Sequence, residues 1–292
     1  MATKKKEEPK EQEKAPAEEV QDEETSIIEV PKEGLATELG EIKELEEVIV
    51  DEVKKKEAFA VESWKPKTSL GKQVKNRELT EIDDILDRRI KILEPEIVDA
   101  LVLNMTTDLL MVGQSKGKFG GGQKRIFKQT QKKTQEGNKP NFATFAIVGN
   151  EDGYIGIGYG KSKETVPARE KAIRHAKLNI IKIRRGCGDW ACGCREPHTI
   201  PFRVNGKAGS IRITLMPAPK GTGLKVEKEC QKMLKFAGIK DIWSRTEGQT
   251  RSKLNVLYAC FDALQQLVQF KANQKSIEST GTIEGKALKV NS

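Results

Sequence analysis

The chain has 292 residues, 52 Lys plus Arg against 43 Asp plus Glu, a formal net charge of +9 and 5% aromatic residues. The length suggests about two domains of roughly 100–200 residues each. No run of about 18 apolar residues exists, and the charged start MATKKKEEPKEQEK lacks the apolar core of a signal peptide, which excludes transmembrane and secretory readings and points to the cytoplasm.

The charge is unevenly placed. Residues 1–60 hold 10 Lys against 19 acidic residues, a net of −9, so residues 61–292 carry +18. The first segment has one aromatic, Phe59, and a composition too poor in apolar surface to offset the entropy of ordering, so 1–60 reads as a disordered acidic arm. Leu39, Ile42, Leu45, Ile49 and Val53 recur at helical spacing, but a solvated tail is the favoured reading. The folded body is expected to start near Trp64, with a helical lead-in over 64–102. There Ile82, Ile85, Leu86 and Ile90 share one face of a helix predicted over Thr80 to Leu93, with Thr80 and Asp83 as a capping pair.

The stretch Gly113 to Pro140 holds eight basic residues, one acid, six glycines and two aromatics, and reads as a long functional loop. Strands are predicted at Phe142 to Val148 and Tyr154 to Tyr159, the second with glycines alternating on one face. A helix opens at Pro167, apolar at Ala172, Ile173, Ala176 and Ile180, and basic at Arg169, Lys171, Arg174 and Lys177. After a cysteine-rich linker over 183–197, Ile200 to Val204 and Ile211 to Leu215 flank Asn205-Gly206, a hairpin signal. Val226, Cys230, Met233, Leu234 and Ala237 define a helix closed by Gly238. Leu254, Leu257, Cys260, Phe261, Leu264 and Val268 define another, with a short strand at Ile242 to Ser244 between them. Residues 271–292 read as a flexible tail. Strands followed by helices make this an α+β protein with units over 103–182 and 198–270.

Most candidate sites fail on spacing. Gly160-Lys161-Ser162 lacks the glycine that a phosphate loop needs five residues earlier, where Ile155 stands. Gly156, Gly158 and Gly160 do not match a dinucleotide fingerprint and read as close packing. His175 and His198 lie in no nucleophile motif. Cys230 and Cys260 fall on apolar helix faces and read as core.

Cys187, Cys192, Cys194 and His198 form C-x4-C-x-C-x3-H, four soft ligands that suit a structural zinc, although no C-x2-C pair is present. The competing reading is a glycine-punctuated turn whose thiols pack against Trp190 or RNA. A zinc deaminase is disfavoured, because His198 is not followed by x-Glu and no P-C-x-x-C occurs.

The strongest signal is basic charge interleaved with Gly, Phe and Gln, which suits phosphate contacts on RNA. The RNA-binding candidates are Lys116, Lys118, Lys124, Arg125, Lys128, Lys132 and Lys133 of the loop, Lys161, Lys163, Arg169, Arg174 and Lys177 around the first-unit helix, Arg184 and Arg185 after it, and Lys220 and Arg251 in the second unit.

The strings NFATFAIVGNEDGYIGIGYGKSKETVPAREKAIRHAKLNIIKIRRG, PHTIPFRVNGKAGSIRITLMPAPKGTG and AGIKDIWSRTEGQTRSKLNVLYACFDAL closely resemble the family of the universal fifth protein of the small ribosomal subunit, S-five in bacteria and S-two in eukaryotes. The likeness covers about residues 64–270, and RRGCGDWACGC looks like its archaeal branch. The resemblance implies a domain similar to the double-stranded RNA-binding fold over 103–182 and a second α+β domain beside it. It also implies a non-enzymatic ribosomal role that requires no cofactor. The implied partners are small-subunit rRNA, the proteins S-four and S-eight, and mRNA where it enters the subunit, with effects on mRNA unwinding and decoding accuracy. By motif position it points to Lys124, Arg125 and Lys128, to Arg169 and Lys177, and to the turns PAPKGTG and GQTR. The 113–140 stretch is longer and richer in glycine than the family's short basic hairpin, and the acidic arm lies outside the pattern. A free double-stranded RNA-binding regulator is the second reading, and a metal-dependent nucleic-acid enzyme the third.

Overall fold

The computed structural model describes residues 64–102, 104–115, 117, 123–271 and 273–285. The acidic arm, Lys116 and Lys118 lie outside the described residues.

Three short helices lead in: α1 (Ser69–Lys75), α2 (Ile82–Asp87) and α3 (Glu96–Leu101). Then come β1 (Thr106–Leu109), β2 (Lys128–Thr134), β3 (Gly137–Gly149), β4 (Tyr154–Ser162), α4 (Thr165–Leu178), β5 (Ile180–Lys182) and β6 (Arg184–Arg185). The first four strands with β5 form one antiparallel sheet. The outer half of β3 pairs with β2 and its inner half with β1, while β4 joins β3 to β5. Helix α4 lies against β4 and β3.

The glycines of β4 allow that close approach. A Cβ on Gly158 would stand 2.2 Å from both the Ala172 carbonyl oxygen and the Ala176 nitrogen, and one on Gly160 2.1 Å from the Ala168 oxygen. Ala168, Ala172 and Ala176 form the matching small-residue stripe on the helix. Glycine every second residue therefore lets the helix backbone lie directly on the strand.

The second unit holds β7 (Val204–Ala208), β8 (Ile211–Pro217), β9 (Leu224–Lys225), α5 (Lys228–Phe236), β10 (Ile242–Glu247) and α6 (Lys253–Gln269). Its sheet runs β7-β8-β10-β9, with the β10–β9 pair parallel. Phe145, Ile147, Ile155 and Ile157 of the first sheet share one core with Ile213, Leu215, Met233, Leu257 and Leu264 of the second unit. Among the described residues the last elements are α7 (Gln274–Thr280) and β11 (Ile283–Glu284), which pairs with β6.

Four sequence expectations are corrected. The helix predicted over Thr80 to Leu93 is only α2: Arg89 takes φ 54°, Ile90 and Leu93 are exposed, and Ile92 is buried instead. Thr80 does not cap it. The residue before the helix is Glu81, without a side-chain cap bond, and Asp83 instead accepts a hydrogen bond from the Tyr154 hydroxyl at 2.9 Å. The helical spacing of isoleucines held for too few residues to carry another turn.

The supposed 113–140 loop contains the whole of β2 and the start of β3, joined by a tight turn ending in Gly137 at φ 113°. Both arms are polar and exposed, so no apolar alternation marked them. Asn205-Gly206 is not the second-unit turn, because both residues sit inside β7 opposite Thr214 and Ile213. The chain reverses after Ala208, where Gly209 takes φ 61°. Gly206 serves helix packing, since its Cβ would fall 2.0 Å from the Ala259 carbonyl oxygen of α6.

The supposed tail carries α7 and β11. Glu284 pairs with Arg184 and lies 3.6 Å from Lys182, while Arg184 also donates to the Phe270 carbonyl at 2.5 Å. Partners about 100 residues apart in sequence give no local signal.

Candidate nucleic-acid interface and metal centre

The β2–β3 hairpin presents Lys128, Lys132 and Lys133 as exposed side chains, and Lys139 pairs with Glu136 at 2.8 Å beside its turn. Register sets Lys128, Ala143 and Lys161 in one row across three strands. At the end of β4, Lys161, Lys163 and Lys171 line an open cleft of about 640 Å³ with Asn141 and Pro167. Arg169 and Arg174 are exposed on α4. Lys171 extends the helix's basic face into this cleft, where Glu164 is the one acid among three lysines.

Other predicted contacts are placed differently. Lys124 is half-buried and bridges Ser115, Arg125 is exposed, and Lys177 pairs with Asp99 at 2.6 Å. Arg184 and Arg185 are buried. The Arg185 guanidinium donates to the carbonyls of Glu151 and Gly285 at 3.3 and 3.2 Å, and burial lowers its pKa. Both arginines thus hold the fold from inside. Arg251 is exposed.

The cysteine-rich linker closes on itself. Ligand atoms of Cys187, Cys192, Cys194 and His198 all lie within 4.8 Å of one another. Cys192 Sγ stands 3.8 Å from His198 Nε2, and the Cys187 thiol donates to the Cys192 carbonyl at 3.1 Å. Backbone N–H groups of Lys220 and Cys194 hold the Cys192 thiol down at about 6, whereas burial and the neighbouring thiols push Cys187 up to about 11. Trp190 is 98% exposed, so the thiols do not pack against it. Behind the cluster, His198 Nδ1 meets Asp241 Oδ2 at 2.9 Å. Asp241 was missed by sequence reasoning, and nothing local could have found it, because it lies 43 residues from its partner.

Three thiols and an imidazole within one ion's reach form a donor set that fits tetrahedral zinc. A carboxylate on the far imidazole nitrogen is the usual outer support of such a ligand. Cys230 and Cys260 are buried in the core, as expected, and all five cysteines are free thiols. No helix among the described residues is long and apolar enough to cross a membrane.

Two α+β units on a shared core, one bearing a cationic hairpin and cleft, define a basic RNA-binding protein in which charge is displayed on the surface. Residues 126–184 match the family described as ribosomal protein S5, N-terminal domain, and residues 206–277 match ribosomal protein S5, C-terminal domain. The chain is 46% identical over 228 residues to the small ribosomal subunit protein uS5 of Nanoarchaeum equitans, covering 78% of this chain and 98% of that protein. Its counterpart in Methanosphaera stadtmanae is 43% identical over 226 residues, 77% and 93% of the two chains. That of Methanocaldococcus jannaschii is 43% identical over 230 residues, 79% and 99%. The chain belongs to the ribosomal protein S5 family, and these relatives are archaeal.

Proposed function

We infer that the chain is a structural, non-enzymatic constituent of the small ribosomal subunit, binding rRNA within the cytoplasmic ribosome. The observation that carries this is membership of a family whose members are small-subunit proteins, together with a cationic hairpin on a fold that matches both of its domains. Phosphate contacts from Lys and Arg supply affinity, and the rigid sheet sets their positions.

The antiparallel strands β2 to β4 with α4 across one face support a double-stranded RNA-binding-like reading of about 103–182, with the second domain over about 198–270. The rRNA surface comprises Lys124, Arg125, Lys128, Lys132, Lys133, Lys161, Lys163, Arg169, Arg174, Lys177, Lys220 and Arg251. The exposed faces of the hairpin and α4 support most of that set. Proteins S-four and S-eight are its neighbours, and its basic surface meets mRNA where it enters the subunit, assisting unwinding and decoding accuracy. No cofactor is needed for RNA binding. Cys187, Cys192, Cys194 and His198 hold a structural zinc, a reading supported by the convergence of their ligand atoms.

The test is sedimentation of the full chain in a low-salt gradient with small subunits. Co-sedimentation is expected. Duplex RNA affinity without subunit association would instead indicate a free RNA-binding regulator.

A further inference from the structure

We propose that the zinc site clamps the loop from Pro217 to Gly223, with Asp241 as the positioning residue that joins metal to loop. This rests on the zinc reading above and goes beyond it by giving the metal a defined mechanical target. The loop follows β8 and carries Lys220, one of the rRNA contacts proposed in the second unit.

The polar ties of this loop run to the metal knuckle, to Thr199 beside its histidine, to Asp241 behind it and, at its end, to β10, where the Ile242 N–H donates to the Gly223 carbonyl at 3.2 Å. One oxygen of Asp241 faces His198 Nδ1 at 2.9 Å. The other accepts the backbone N–H groups of Gly221 and Gly223 at 3.1 and 2.8 Å. The Lys220 ammonium pairs with Glu196 of the knuckle at 2.7 Å. The Ala218 N–H reaches Thr199 Oγ1 at 3.4 Å, next to His198. In return, the His198 carbonyl accepts the N–H groups of Lys240 and Asp241 at 2.8 and 3.1 Å.

Ala218 is buried, whereas Gly221 and Gly223 take φ 91° and 73° and a Cβ on either would meet nothing within 4 Å, so the outer part of the loop depends on these tethers and on backbone freedom. With Asp241 only 4% exposed, its carboxylate has no solvent to replace a lost partner.

The chemistry makes the clamp reciprocal. Asp241 accepts a hydrogen bond from the His198 Nδ1–H, which leaves the Nε2 lone pair to face the metal. An amide in its place cannot satisfy both sides. If its oxygen keeps the two glycine N–H groups, its NH2 faces Nδ1, forces the proton onto Nε2 and blocks ligation. If it turns over, its NH2 faces two other donors.

The experiment uses the full chain. Metal analysis and the visible spectrum of the cobalt-substituted protein first establish the ion, and a protein without stoichiometric metal defeats the zinc reading itself. Hydrogen exchange is then compared before and after chelation. Loss of protection over 218–223, with β3 and β4 still protected, is the expected result. Stoichiometric zinc with unchanged protection in that loop after its removal overturns the clamp while leaving the zinc reading intact. Should chelation unprotect the whole chain, Asp241→Asn decides the matter. A fall in zinc affinity of about 10–100-fold against a chromophoric chelator supports the clamp, and an affinity matching the parent overturns it. Glu196→Gln, which removes only the surface pair to Lys220, is expected to leave zinc affinity unchanged; a loss equal to that of Asp241→Asn would also overturn the assignment.

Discussion

Replacing Lys132 and Lys133 together by Gln tests whether the β2–β3 hairpin lies on RNA phosphates. Both side chains are exposed near the end of β2, paired in register with Lys139 and Asn138, so their removal leaves the core untouched. The folding cost should stay within about 0.5 kcal/mol, as for other surface changes away from packing. If each lysine neutralises one phosphate, the double variant lowers the slope of log K against log salt by about 1.4–1.8, taking roughly 0.7–0.9 per contact. Extrapolated from 1 M reference salt to 0.1 M, that is an affinity loss of about 25–60-fold. Fluorescence anisotropy of a labelled small-subunit rRNA fragment, titrated between about 50 and 300 mM KCl, reads both quantities in the range where such slopes are usually measured. A slope equal to that of the parent would refute the hairpin as a phosphate-contact surface, even if the affinity changed.

Three further outcomes follow from the packing. Gly158→Ala drives a methyl into the α4 backbone 2.2 Å away, and the unfolding free energy in urea should fall by about 3 kcal/mol; a loss under about 1 kcal/mol would show that helix and strand separate freely. Glu284→Gln leaves the buried Arg184 without its carboxylate, while Lys182 keeps Asp87, so stability should drop by about 3 kcal/mol and exchange over 273–285 should rise, whereas unchanged exchange would mean that β11 is held by other means. Burial pushes the Glu94 carboxyl up, but the N–H groups of Thr68 and Lys67 and the Trp64 indole outweigh it and lower its pKa. A depressed carboxylate stabilises the fold above its unfolded value of 4.5 and loses that contribution as pH falls through the folded value. Trp64 fluorescence, read in a chain with Trp190 and Trp243 changed to Phe, should therefore shift in acid; in Glu94→Gln it should be shifted already at neutral pH, and a parent-like neutral signal would refute the link.

The sequence by itself determined the elements whose apolar spacing is long and regular. Helix α6 and the pairing core of β3 and β4 were legible because burial imposes a period that the residues must follow. The ligand set Cys187, Cys192, Cys194 and His198 was legible as chemistry, since four soft donors stand within twelve residues. The excess of positive charge was legible too, because composition sets it.

Only the tertiary structure decided what those features contact. The β2–β3 hairpin is held by backbone hydrogen bonds between two polar arms, and such bonds leave no apolar pattern to read. Asn205-Gly206 looked like a turn because Gly permits one, yet Gly206 is required by the approach of α6, a fact set by a helix more than fifty residues away. Arg184 and Arg185 looked like their exposed neighbours in charge, and burial beside Glu284, Glu151 and Gly285 gives them a different task. Asp241 completes the His198 site from 43 residues downstream. Local periodicity records which face of an element is buried, but the partner on that face is chosen by the path of the whole chain.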